Sequence, residues 1–168
     1  MHGSAAASGN VSPMPFSIRR GTPSDASTVA AFNIAMAKET EGIALDPAVV
    51  GPGVQAALSD PARSLYFVAE EGGRLLGQTM VTYEWSDWRN GFLWWIQSVY
   101  VAPDARERGV FKALHARVVE EARTARAVGI RLYVFEENAR AREVYRRLGM
   151  TDARYRVIEQ MFGSGHGG

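Results

Sequence analysis

Residues 98–114 read Ser-Val-Tyr-Val-Ala-Pro-Asp-Ala-Arg-Glu-Arg-Gly-Val-Phe-Lys-Ala-Leu: an apolar run closed by Pro103, an Arg/Gly-rich turn, and the first residues of an amphipathic helix. A helix start carries unpaired backbone N–H groups and the positive end of the helix dipole, so it attracts phosphate. Arg106 and Arg108 add charge there, and Gly109 lets a ligand approach the backbone. The chemistry on offer is the binding of an anionic cofactor. Downstream, Asn138 and Tyr145 stand seven residues apart, two helical turns, and so share one helix face. The chain has no cysteine, which excludes disulfides, thiolate catalysis and Cys-type zinc sites.

The elements that must position these residues follow from periodicity and punctuation. Phe16 to Arg19 alternates like a short strand. Thr22-Pro23-Ser24-Asp25 opens a helix with a capping Thr, a Pro at its first position and an acid in its first turn, running to about Glu41 and ending at Gly42. A weaker helix is expected within 46–59, interrupted by Gly51-Pro52-Gly53. Strand-like runs follow at Leu65 to Glu70, Leu75 to Trp85 and Phe92 to Val101, the first two joined by the hairpin signal Glu71-Gly72-Gly73. The third is apolar at odd and even positions alike, the mark of a strand covered on both faces, with Gln97 and Ser98 in need of polar partners. An amphipathic helix is predicted from Phe111 to Ala127 with Gly129 as its stop, then a strand from Ile130 to Phe135. A helix capped by Asn138 ends at Gly149, and Tyr155 to Met161 reads as a last strand. His115 falls on the polar side of its helix.

At 168 residues, 46% hydrophobic and 22% charged, the chain has the composition of a soluble single domain. No apolar run reaches membrane-spanning length, and the Ala/Ser/Gly-rich start lacks the basic and apolar regions of a signal peptide. A cytoplasmic location is therefore expected, with residues 1–15 and 163–168 as flexible tails around a domain at 16–162. The net charge of +1 hides an asymmetry: residues 1–100 hold 6 Lys/Arg against 9 Asp/Glu, residues 101–168 hold 13 against 9. The half that starts at the turn is the positive one. Arg140, Arg142, Arg146 and Arg147 on one helix raise a nucleic-acid reading, which the interspersed Glu and near-neutral total argue against.

Three features together resemble the GNAT superfamily of acyl-CoA-dependent N-acyltransferases over about Phe16 to Phe162. They are the strand ending Val99-Tyr100-Val101-Ala102-Pro103, the turn Arg106-Glu107-Arg108-Gly109-Val110-Phe111, and the helix Asn138 to Tyr145 followed by Leu148-Gly149. The resemblance implies an α/β fold: a central, mostly antiparallel mixed sheet flanked by helices, with a V-shaped splay after the central strand. It implies acetyl-CoA as acyl donor, no metal, and transfer to the primary amine of a small molecule or peptide. No nucleic acid or membrane partner is expected, and a homodimer is left open. The turn residues Arg106, Glu107, Arg108, Gly109, Val110, Phe111 and Lys112 would bind the cofactor, its pyrophosphate held by the amides of about Arg108 to Lys112. Backbone groups of Val99, Tyr100 and Val101 would meet the pantetheine arm, the Val99 amide at the thioester oxygen.

By the same resemblance Asn138 would contact the cofactor arm and Tyr145 would protonate the departing thiolate. Asn138 as a helix cap and Tyr145 as a packing aromatic are the plainer readings. Phe111 departs from the family, which keeps a small residue there, so its ring must turn into the helix–sheet core to spare the phosphates. Gln97 stands near where some members place a basic Glu, and Gln cannot accept a proton. Glu84 is the best replacement, with Glu39 and Glu41 behind it, or a water chain. Trp85, Trp88, Trp94 and Trp95 could wall the acceptor pocket, or serve core and dimer packing. A catalytically silent CoA-binding regulatory domain is the alternative from another class.

Overall fold

A computed structural model describes residues 15–162; the tails expected at 1–15 and 163–168 lie, apart from residue 15, outside the described residues. The elements are β1 (Ser17–Arg20), α1 (Ala26–Glu41), α2 (Pro47–Ser59), β2 (Leu65–Glu71), β3 (Arg74–Ser86), β4 (Gly91–Val101), α3 (Val110–Thr124), β5 (Gly129–Leu132) and α4 (Ala139–Arg147). The strands form one sheet in the order β1-β2-β3-β4-β5. The first four are antiparallel and β5 runs parallel to β4. This is the α/β mixed sheet expected from the sequence.

Alternation along the strands feeds two cores. Phe67, Ala69, Trp94 and Ile96 point to the face covered by Leu114, Val118 and Ala122 of α3. Tyr66 and Val68 point to the other face, against Val29 of α1 and Val54 and Leu58 of α2. The apolar stripe of α3 therefore lands where its spacing put it. Thr22 opens a 3-10 turn at 23–25 before α1, and Asp25 accepts hydrogen bonds from the Thr22 amide at 2.8 Å and from both Nη atoms of Arg19 at 2.8 and 2.9 Å.

Several boundaries differ from the sequence reading, each for a physical reason. Helix α2 runs unbroken through Gly51-Pro52-Gly53. Its Asp46 cap, which accepts from the Ala48 amide at 2.9 Å, and the burial of Val54 and Leu58 outweigh poor local propensity. Helix α3 stops at Thr124, not Ala127. Arg126 takes the left-handed conformation (φ +57°), and the Ala127 amide donates to Ala122 O at 2.8 Å, a Schellman-type closure. Gly129, expected as the stop, instead opens β5, where a Cβ would lie 3.0 Å from Leu93. Strand β5 ends at Leu132 because its pairing with β4 ends there; Tyr133 and Phe135 are exposed. The last strand expected at 155–161 does not form, and that segment is exposed without regular structure. Strand β4 buries Trp94 and Ile96 on its α3 side and Leu93 and Tyr100 away from it, while Trp95 and Gln97 are half-buried and Val99 is half-buried against the α3-side core. His115 is 8% exposed rather than on the surface, because it faces Phe111 and the chain after α4 at Leu148 to Met150.

Candidate functional site

The site begins where two strands part. Strands β4 and β5 pair through Leu93↔Gly129 to Ile96↔Leu132 and no further, so residues 97–101 of β4 have no β5 partner. Across the other edge, the β3–β4 register slips between Gln78↔Tyr100 and Met80↔Gln97, leaving Ser98 and Val99 in a bulge with Ser98 at φ +49°. This is the expected V-shaped splay. A cavity of about 810 Å³ fills it, walled by Gln97, Ser98 and Val99 of β4, the chain after β5, Asn138 at the start of α4 and Tyr145 within it.

A polar clamp missed by the sequence reading holds the bulge. Gln78 is fully buried and its Nε2 donates to Asn33 Oδ1 at 2.6 Å and to the Ser98 carbonyl at 3.5 Å. Asn33 Nδ2 reaches Tyr66 Oη at 3.4 Å, so α1, β2, β3 and β4 meet in one network. The available signal was a Gln in the middle of the apolar run Leu75 to Val81. Gln97, flagged as needing a partner, donates to Thr82 Oγ1 at 2.7 Å.

The turn after β4 carries two left-handed residues, Glu107 (φ +64°) and Gly109 (φ +81°). Gly109 caps α3 without a side-chain hydrogen bond, so the amides of Val110, Phe111 and Lys112 lack intrahelical partners. A Cβ on Gly109 would meet nothing within 4 Å, which leaves open space over these donors. The arginines are less available than expected. Arg106 donates to Glu39 at 2.6 Å and, through Nε, to the Val101 carbonyl at 3.1 Å; Arg108 donates to Glu71 at 2.5 Å. Among the described residues Lys112 has no ion-pair partner. Phe111 does not enter the helix–sheet core. It is half-buried against Tyr145, edge-on at 5.6 Å, and His115 at 6.2 Å, because α4 lies across the start of α3. That contact joins the turn to the cleft.

Tyr145 is half-buried on the cleft wall, and burial pushes its phenol above the usual value of 10.0, so it is protonated at neutral pH. Asn138 lines the same cleft while its Oδ1 accepts from the Ala141 amide at 2.9 Å, so it is also the cap of α4. Val99 lines the cleft; Tyr100 is buried, its hydroxyl donating to Glu39 at 2.9 Å.

The three candidate carboxylates separate. Glu39 is held below the usual carboxylate range by Arg106 and then Tyr100, which disfavours proton capture. Glu84 lies outside the cleft lining, on the strand face of Thr82, and accepts from Trp95 Nε1 at 2.5 Å and Arg131 at 3.3 Å. Glu41, at the end of α1, lines the cleft. The tryptophans separate too. Trp94 is core, Trp95 stacks on Tyr133 at 4.5 Å, and Trp85 and Trp88 are exposed at the β3–β4 hairpin, Trp88 by 85%. They do not form one wall.

Comparison with known proteins agrees with this geometry. The model of the acetyltransferase (GNAT) family matches residues 31–150. A structure described as a possible acetyltransferase from Clostridium difficile 630 is 40% identical, covering 88% of this chain and 97% of its own, at a TM-score of 0.82. A predicted acetyltransferase from Clostridium acetobutylicum, solved with acetyl-CoA, is 18% identical over 86% of this chain and 96% of its own, at 0.72. The ribosomal-protein-alanine N-acetyltransferase of Brucella melitensis biovar Abortus 2308 is 18% identical over 88% and 99%, at 0.71. The last two likenesses concern the fold alone. No curated protein sequence matches the chain.

Proposed function

The chain belongs to the GNAT family of acetyl-CoA-dependent N-acetyltransferases, and we propose that residues 16–162 move the acetyl group to a primary amine by direct attack in a ternary complex. The observation that carries this reading is the unpaired edge of β4 leading into the uncapped, glycine-led start of α3. The residues present fit coenzyme A. Free amides at Val110, Phe111 and Lys112, open space over Gly109 and the Lys112 ammonium suit a pyrophosphate, and the 97–101 edge offers backbone groups to an amide-bearing arm. The turn residues Arg106 to Lys112, with Val99, Tyr100, Val101 and Asn138, are the proposed holders. When bound, acetyl-CoA supplies an activated thioester.

Each protein group then has one task. The Val99 amide, fixed by the Gln78 clamp, donates to the thioester oxygen as negative charge grows there. Tyr145, kept neutral by burial, gives its proton to the sulfur that leaves. Glu41 takes the amine proton, directly or through water, since of Glu39, Glu41 and Glu84 it is the one that lines the cleft, where Glu136, Glu137 and Glu159 also stand. A second reading sends that proton to Glu84 through water, favoured by its place two residues beyond Thr82 on the same face, ~7 Å along the strand. With no cysteine, an acyl-cysteine intermediate is excluded.

Steady-state CoA release with an amine panel tests the assignment. Tyr145→Phe is expected to lower kcat by about 10²-fold with KM for acetyl-CoA unchanged. An unchanged rate removes the acid role. Glu41→Gln is expected to lower kcat/KM by about 10²-fold, whereas Glu84→Gln leaves it; the reverse outcome selects Glu84. Saturable acetyl-CoA binding without turnover of any amine would favour a silent CoA-binding domain, the reading that Gln97 and Phe111 suggest.

A further inference from the structure

Behind the splay lies a separate cavity of about 360 Å³, between α1, α2 and the sheet face that carries Tyr66 and Met80. Met36 and Ser98 line both this cavity and the larger cleft, so the two spaces meet beside Val99. The lining is divided by chemistry. Toward Ser98 it offers the Asn33 amide and the Tyr66 hydroxyl, already linked to each other. Away from Ser98 the wall comes from the α1–α2 connection and α2, through Leu45, Val50 and Val54, and is apolar. Arg63 is the one charged lining residue; no Asp or Glu lines the cavity. Its volume falls in the range of small-molecule sites.

We propose that this cavity takes the acceptor, and that the acceptor is a primary monoamine with an apolar body, its nitrogen at the Asn33–Ser98 end. The inference rests on the acetyl-transfer reading and adds the substrate class to it. A second ammonium would lose its water against apolar walls that carry no carboxylate, and would meet the Arg63 guanidinium, whose partner Asp60, at 3.7 Å, stands outside the lining. Spermidine and aminoglycosides are therefore poor acceptors, although the acidic balance of residues 1–100 by itself suited a cationic one. In the transfer the amine nitrogen bonds to the thioester carbonyl carbon and the carbon–sulfur bond breaks. The amine proton passes to the cleft carboxylate or water, and the sulfur receives the Tyr145 proton.

The test uses the full chain, acetyl-CoA and the matched pair pentylamine and cadaverine, with spermidine and kanamycin beside them. Expected kcat/KM for pentylamine exceeds that for cadaverine by about tenfold or more. Arg63→Glu places a carboxylate at the same wall and raises the cadaverine-to-pentylamine ratio several-fold; Arg63 is largely exposed, so the fold should be kept, checked by its melting temperature. Val50→Trp fills the apolar end and raises KM for pentylamine with KM for acetyl-CoA unchanged. Preference for the polyamines in the wild type, or an Arg63→Glu variant with an unaltered ratio, overturns the substrate class while acetyl transfer stands. Acetyl-CoA binding seen by calorimetry with no amine turned over overturns the transfer reading, and this inference with it.

Discussion

Single residues carry the site's chemistry and its sensitivity to pH. Burial lowers the affinity of His115 for a proton below the ordinary imidazole value of 6.5. The unfolded chain binds that proton more readily, so stability is complete above pH 6.5 and falls as the pH drops below it. His115→Gln is expected to flatten this part of the curve, read by urea denaturation at pH 7.5 and 5.5. Gly109 is a second single-residue lever. At φ +81° any side chain is strained, so Gly109→Ala should cost about 1 kcal/mol of stability and weaken acetyl-CoA binding, measured by titration calorimetry. The Gly109 turn could be read from residue types, since an Arg/Gly-rich turn ahead of an amphipathic helix needs few geometries. The burial of His115 could not. Its place on the helix looked polar only because the partners closing over it come from distant segments.

At the scale of elements, the splay depends on a bulge that the sheet alone would not hold. Gln78 bonds across from β3 to α1 and to the Ser98 carbonyl of β4. Gln78→Leu removes those donors and leaves Asn33 Oδ1 unpaired in the interior, so it should lower kcat more than it raises KM for acetyl-CoA. Equal changes in both would place the effect in cofactor binding instead. Helix periodicity, the Gly72-Gly73 hairpin and the Asn138 cap were legible because each is decided within a few residues. Element ends were less so: α2 crosses Gly51-Pro52-Gly53 because its buried face packs on α1 and β2. Tyr155 to Met161 shows the converse. Its alternation suits a strand, but alternation does not supply an edge to pair with.

Across the whole molecule, the sheet places an unpaired strand edge, a glycine-led helix start and a smaller apolar cavity around the splay. Among the described residues no helix is long and apolar enough to cross a membrane, and no cluster of His, Asp or Glu could hold a metal. If the cleft binds coenzyme A in the folded state only, ligand must stabilise the fold by mass action. At a hundredfold excess over Kd the gain is about 2.7 kcal/mol, visible as a rise in Tm. The order of the three motifs along the chain made the family legible. The cavity proposed for the acceptor was not, because α1, α2 and β2–β4 assemble it from segments with no local signature. The most direct test of acetyl transfer is mass spectrometry of the full chain's reaction with isotopically labelled acetyl-CoA and pentylamine. The structure predicts labelled N-acetylpentylamine in equal amount to the CoA released. Retention of intact acetyl-CoA on the protein, with no acetylated amine from this or any acceptor tried, would contradict it.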